Sequence, residues 1–270
     1  MIFEHKGGEI KAIMVDVDNT MLTPQKVAPK GLYEALAQLQ KRRIKIAICT
    51  GRGYQMLREP VLSPMIKFGL HGIHVICGGA QLIRSNGEMI EGQPIPSEFV
   101  DQVFEHYYDE RARRVLFNSH ETIFVNQPFY DEAKQKWESN VLLLTQYQGE
   151  TVYLINVNDL SKDQAPNFFF DPSVEAKFML PSGLKPSVDV TLAGVNKGVA
   201  VKRWSIINGV PLENILGVGD SANDLDFLQE VGFAVAMGNA SDELKTQADL
   251  VIGDVEDGGL VKFLLKLLED

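Results

Sequence analysis

The sequence predicts an α/β protein, a doubly wound, mostly parallel sheet carrying an inserted α+β domain. Three observations predict it. Short, almost unbroken apolar runs alternate with helical patterns at both ends of the chain, as strands buried on both faces of a parallel sheet do. The alternation lapses in the middle, where hairpin signals and half-apolar segments replace it. Polar motifs stand at or just beyond the ends of the apolar runs, the edge at which open α/β sheets bind ligands. The expected division is 1–83 with 186–270 for the sheet-bearing domain and 84–185 for the insertion.

AIMVDV, from Ala12 to Val17, reads as the first strand, and a turn-rich stretch with Pro24 and Pro29 follows. Leu32, Leu36 and Leu39 recur at helical spacing, and Lys41 to Arg43 place cations in the last turn. IKIAIC (Ile44 to Cys49) and HVIC (His74 to Cys77) are the second and third strands of the alternation. Between Leu82 and Ile90, Asn86-Gly87 marks a hairpin. A helix follows with Val100, Val103, Phe104 and Tyr107 on one face and Ser97 as its cap. VLFN and TIFVN read as antiparallel strands, and Asp131 to Glu138 as a helix. TVYLINVN and the Phe168 to Leu180 region carry no decisive period. The alternating pattern resumes near Val188 with VDVTL. A helix then spans Lys197 to Asn208, closed by Gly209 and Pro211. NILGVGD is a strand, Asp224 to Val231 a helix ending at Gly232, FAVAM a strand, Ser241 to Ala248 a short helix, LVI a strand, and Leu260 to Leu268 the last helix.

Composition narrows the function. The chain has 270 residues, 45% hydrophobic and 23% charged, which excludes a disordered or fibrous protein. Acidic residues outnumber basic ones 36 to 26, a formal charge of -10. Such a surface repels nucleic acid and anionic membranes, so neither is an expected partner. No apolar run reaches the roughly 18 to 20 residues that a membrane span needs. The first twenty residues lack a basic start with an apolar stretch and a cleavage site, so a cytoplasmic protein is expected. Cys49 and Cys77 each end an apolar run and read as buried thiols. His71 and His74 have no Cys, His or Glu cluster around them, so no zinc site is expected.

Four motifs carry chemistry. Asp16 and Asp18 flank Val17 at a strand end. A nucleophilic carboxylate beside a second carboxyl that shuttles protons suits acyl-phosphate chemistry, and the repulsion between the two favours a proton or a cation. Alone, either aspartate reads as an Asx turn or a helix cap. Thr50-Gly51 after IKIAIC offers a hydroxyl and a backbone N–H to a phosphate oxygen, or is plain strand-to-helix punctuation. Arg52 reads equally as an anion contact or a surface ion pair. Lys197 opens a helix, where a cation opposes the dipole; a bound phosphate would remove that conflict. Asp220, Asn223 and Asp224 follow GVG within one turn and offer hard oxygen ligands of the kind Mg²⁺ takes.

In this order, the Asp-x-Asp pair, Thr-Gly-Arg, Asn-Lys-Gly and Gly-Asp-x-x-Asn-Asp make the chain resemble the haloacid dehalogenase superfamily of phosphatases, closest to its Cof-type branch. Val235-Ala236-Met237-Gly238-Asn239-Ala240 and Glu256-Asp257-Gly258 resemble that branch too. The likeness covers residues 10 to about 82 and 188 to 268, and the insertion matches that branch's large α/β cap by position and size. It implies a Mg²⁺-dependent phosphatase of sugar phosphates or similar small phosphorylated metabolites. Asp16 would be the nucleophile and a metal ligand. Asp18 would be the general acid/base, lending its backbone carbonyl to the metal. Thr50, Gly51, Lys197 and Asn223 would meet the phosphate. Asp220 would ligate the metal, with Asp224 and Arg52 in support. Asn19 stands where the family has glycine; asparagine tolerates the left-handed conformation the turn needs. Cys77-Gly78-Gly79-Ala80 replaces the usual Asn-Gly-Ala run.

Three other readings share these motifs: a phosphotransferase or sugar phosphomutase on the same core, a non-catalytic phospho-acceptor like a receiver domain, and a binding module that kept only the fold. Arg84, Arg113, Arg114 and Lys177 read as solvated surface rather than substrate contacts.

Overall fold

The computed structural model describes residues 8–127, 129–137, 140–179 and 185–269. Glu138 and Leu180, the ends of two predicted segments, and residues 1–7 lie outside the described residues. The chain forms two compact units. One holds the described residues through Gly51, Pro60–Ile90 and the chain from Asn196 onward; the other holds Arg52–Glu59 and Glu91–Val195.

The first unit is built on a five-stranded parallel sheet in the order Leu250–Val251, Phe233–Ala236, Ile215–Gly219, Ala12–Val15, Lys45–Ile48. Ala12 to Val15 and Ile46 to Ile48 are buried, as an apolar run covered on both faces must be. Val15 stands level with Val218 and with Ile48, so three strands end along one edge. The predicted third strand departs from expectation. Ile73–Ile76 meets the parallel sheet through the single bridge Cys49–Val75 and pairs antiparallel with Gln81–Arg84. His74 accounts for the divergence: its Nδ1 accepts the Ile48 N–H at 3.3 Å, so a side chain takes the donor that a ladder would have used.

The second unit has a six-stranded sheet, Val174–Met179, Ser187–Leu192, Leu154–Asn158, Val115–Asn118, Ile123–Val125, Val141–Leu143. Only the last pair is parallel. VDVTL, expected to resume the alternating pattern, is therefore a central antiparallel strand; alternation of Val188 and Val190 with Asp189 is the period of a sheet with two unlike faces. One face, with Phe117, Ile155, Val157, Val188 and Val190, packs on the helix Ser97–Tyr107. On the other, Leu116, Ile123, Val125 and Val141 pack on Ala133 of the helix Tyr130–Trp137 and on Met56.

Two helix expectations are corrected. Pro96, not Ser97, is the N-cap of Ser97–Tyr107, and the Ser97 hydroxyl turns to Glu98 Oε2 at 3.3 Å. The helix expected from Asp224 to Val231 is only Leu225–Leu228 behind a 3₁₀ turn, Ala222–Asp224. Asp224 accepts backbone N–H groups of the preceding turn, which holds that turn tight.

Candidate active site

Asp16 extends the Ala12–Val15 strand, its N–H donating to Val218 O at 2.9 Å. Asp220 directly follows the neighbouring strand Ile215–Gly219. Two adjacent parallel strands thus release a carboxylate each at the same edge. Lys197 comes from the start of the helix Lys197–Asn208, whose N-cap Asn196 accepts the Val199 N–H at 2.9 Å. Its Nζ lies 2.8 Å from Asp16 Oδ1 and 2.6 Å from Asp224 Oδ1. The helix-start cation is therefore answered by two carboxylates of the chain itself.

Carboxylate oxygens of Asp16, Asp220 and Asp224 lie within 4.8 Å of one another. All three residues are buried. Their surroundings separate their roles. Asp224 Oδ1 takes Lys197, while Oδ2 accepts the N–H groups of Asp220 and Ser221 at 3.1 Å each and the Ser221 hydroxyl at 3.3 Å. Both oxygens of Asp224 are engaged, so it is a strut that aims the lysine and the Asp220 turn. Asp220 Oδ1 accepts the Thr20 hydroxyl at 3.2 Å.

Burial, then Asp224 and Asp220, push the Asp16 carboxyl well above its ordinary range against the pull of Lys197. Burial and Asp224 push Asp220 up to about 7. Burial alone would lower Lys197, but Asp16 and Asp224 outweigh it and hold the ammonium well above its usual value. Three carboxylates face one ammonium, an excess of negative charge that calls for a proton or a cation.

The other expected site residues take varied places. Asp18 is 35% exposed and pairs with Lys26 at 2.6 Å; it is not one of the clustered three, though its charge adds to the upward push on Asp220. Asn19 adopts the left-handed conformation, φ 57°. Thr50 is buried at the end of Lys45–Ile48; its N–H donates to Val75 O and its carbonyl accepts the Gly78 N–H, both at 3.0 Å. Burial pushes the thiol of its neighbour Cys49 up, and Lys197, Asp224 and Asp16 all act on it, which places this strand end beside the cluster. Gly51 closes the first segment of the first unit, and Arg52 belongs to the second, with its Nη1 donating to Met56 O at 3.3 Å. Asn223 Oδ1 accepts the Ser221 hydroxyl at 2.6 Å.

Sequence reasoning assigned no role to Thr20, Lys26 or Asn239. Asn239 bridges the two loops at this edge, donating to Asn19 O at 2.9 Å and accepting the Val255 N–H at 3.0 Å. Asn239 lay inside the Val235–Ala240 motif and Thr20 directly follows Asn19, both usable signals. Lys26 lay in a turn between two prolines, with nothing in its spacing to mark it.

A model of the haloacid dehalogenase-like hydrolase family matches residues 13–264. The chain is similar to a pyridoxal phosphate phosphatase of Escherichia coli, 25% identical over 94% of this chain and 97% of the relative. It is also similar to a 5-amino-6-(5-phospho-D-ribitylamino)uracil phosphatase of Bacillus subtilis, 24% identical over 96% of each. In fold it matches a haloacid dehalogenase-like hydrolase from Bacteroides thetaiotaomicron, with a TM-score of 0.79 at 17% identity, over 96% of this chain and 100% of the other. Among the described residues no helix is long and apolar enough to cross a membrane.

Proposed function

The chain belongs to the haloacid dehalogenase-like hydrolase family, and from that footing we propose that it is a Mg²⁺-dependent phosphatase of small phosphate monoesters, acting through an aspartyl-phosphate on Asp16. The observation that carries this reading is the buried set of Asp16, Asp220, Asp224 and Lys197 at one sheet edge. Its donors fit the metal: they are hard carboxylate oxygens with net negative charge, and burial together with the neighbouring carboxylates pushes two of the three carboxyls up. Asp16, Asp220 and the backbone carbonyl of Asp18 would hold the ion. When bound, it neutralises charge on the transferring phosphoryl group.

The chain's own groups do the rest. A carboxylate oxygen of Asp16 attacks phosphorus, and the ester oxygen leaves with a proton from Asp18. Asp18 then takes a proton from the water that attacks the aspartyl-phosphate, which frees inorganic phosphate and restores Asp16. Lys197, Thr50, Gly51 and Asn223 hold phosphoryl oxygens in line. Asp224 keeps Lys197 aimed through the 2.6 Å contact, and Arg52 supports the turn after Gly51. Asp18 must exchange its Lys26 partner for the leaving group. The relatives named above act on small organic phosphate esters, which supports the same class here.

Release of inorganic phosphate from a panel of phosphate monoesters, with Mg²⁺ and with chelator, tests the reading. Turnover is expected only with the ion present, and Asp16→Asn is expected to abolish it with an unchanged circular dichroism spectrum. Near wild-type turnover by Asp16→Asn would overturn the assignment.

A further inference from the structure

The loop that follows Asp18 is a small hairpin with an unexpected residue in its turn. Thr23 N–H donates to Val27 O at 2.9 Å, and Lys26 N–H donates to Thr23 O at 2.8 Å, so Pro24, Gln25 and Lys26 form a three-residue connection. Proline suits the second position of a turn because its φ is already set. The last position of such a connection takes the left-handed conformation, which is the place of glycine. Lys26 holds it instead, at φ 63°. Asn19 is left-handed too, but a short amide side chain tolerates that conformation by bonding locally, and a lysine has no such help. A residue kept in a strained backbone against its own preference points to work done by its side chain.

That side chain reaches back to Asp18, with Nζ 2.6 Å from Oδ1. The backbone around Asp18 is pinned from both sides. Met21 and Leu22 N–H both donate to Val17 O, at 3.0 and 2.9 Å, and Asn19 O accepts Asn239 Nδ2 at 2.9 Å. The freedom left to Asp18 is therefore that of its side chain, and Lys26 takes hold of it there. The carboxylate is nevertheless close enough to the buried cluster for its charge to act on Asp220. All of these residues belong to the first unit.

Building on the phosphatase reading, we propose that Lys26 is a positioning residue that parks the Asp18 carboxylate on the hairpin between turnovers. That reading needs Asp18 first at the ester oxygen and then at the attacking water, so each turnover begins by loosening this contact and ends by restoring it. The side chains of Asp18 and Lys26 are 35% and 42% exposed, and water and salt screen a pair at such a place. Exposed pairs of this kind bias a side chain by no more than about fivefold. Lys26 is thus a weak latch, which delays Asp18 without locking it. The left-handed turn sets the lysine where it reaches Asp18, and the latch explains why glycine does not stand there.

The test measures kcat and KM for whichever alkyl phosphate of the panel above turns over fastest, since an alkoxide leaving group needs the proton of Asp18. Wild type is compared with Lys26→Met, Lys26→Gly and Lys26→Arg. With the ammonium gone, kcat is expected to rise about two- to fivefold in Lys26→Met and Lys26→Gly, with KM unchanged. Lys26→Arg keeps a cation and is expected to match the wild type. Added KCl should raise the wild-type kcat toward that of Lys26→Met and leave the variant flat, because salt weakens the pair. Lys26→Gly should also melt no lower than Lys26→Met, because it relieves the left-handed strain. A kcat that is unchanged or lower in Lys26→Met, a rise confined to Lys26→Gly, or a rise in Lys26→Arg as well overturns the latch while the phosphatase reading stands. A Lys26→Gly that melts below Lys26→Met overturns the argument from strain and the assignment with it. A wild type that releases phosphate from no ester of the panel overturns both readings.

Discussion

Lys197 stands at the first position of a helix and is only 3% exposed, two conditions that each disfavour an ammonium. Asp16 and Asp224 reverse the balance, so the three groups depend on one another. Removing the cation leaves buried carboxylates unpaired, which costs about 3–5 kcal/mol for such a pair. Lys197→Met is expected to lower the urea midpoint at neutral pH and to cut phosphate release by at least about 10²-fold. An unchanged midpoint would show that the carboxylates do not need it. This residue was legible in the sequence because a cation at a helix start is a local conflict, and such conflicts gather at sites. His74 was not. It reads as one more residue of an apolar run, yet it is fully buried, accepts the Ile48 N–H and meets Ser85 Oγ at 2.9 Å through Nε2. Burial pushes its pKa down to about 4 from the ordinary 6.5. The unfolded chain therefore binds the extra proton between those values, so this contribution to stability is complete above about pH 6.5 and is lost as pH falls toward 4. The full loss is about 3 kcal/mol. In urea titrations from pH 7 to 4 the stability advantage of the wild type over His74→Gln should shrink with falling pH. A constant difference would mean that His74 does not titrate in the fold.

Lys197–Asn208 matches the sequence expectation at both ends, because Asn196 and Gly209 are punctuation with local causes: a side-chain cap and a left-handed φ of 62°. Strand partners have no such local cause. Ile73–Ile76 and Ser187–Leu192 were recognisable as strands, but an apolar run does not state its partner, and each pairs antiparallel with a neighbouring segment, Gln81–Arg84 and Val174–Met179, rather than joining the parallel ladder. A contact between segments distant in sequence was hidden too, the close approach of the Lys197 helix to the helix Leu225–Leu228. A Cβ on Gly198 would sit 2.3 Å from Asp226 O and 3.3 Å from Asn196 Oδ1, against backbone that cannot move aside cheaply. Gly198→Ala must therefore shift the helix start that carries Lys197. Overpacking of this kind costs about 1–3 kcal/mol. Calorimetry should find a lower Tm, and kcat should fall with it, since Lys197 loses its line to Asp16 and Asp224. A variant as stable and as active as the wild type would mean that the helix start has room to spare.

The chain carries a formal charge of -10, and the site concentrates part of that excess where water cannot screen it. Asp220 makes the consequence measurable. Its carboxyl is pushed up to about 7 from the ordinary 3.8, so between those values the folded chain holds a proton that the unfolded chain has released. The bare protein therefore loses stability as pH rises through that window, and above about pH 7 the loss is complete. A divalent ion paired with Asp16 and Asp220 would offset it, and below pH 7 a proton would compete for the same oxygen. Mg²⁺ at about a hundred times its Kd stabilises a protein that binds it only when folded by about 2.7 kcal/mol. For a chain of this size each kcal/mol moves Tm by about 2–4 °C. Mg²⁺ should thus raise Tm by about 5–10 °C at pH 8, the gain should dwindle toward pH 5, and Asp220→Asn should abolish most of it. An equal gain at both pH values, or one that survives in Asp220→Asn, would place the ion somewhere other than this edge.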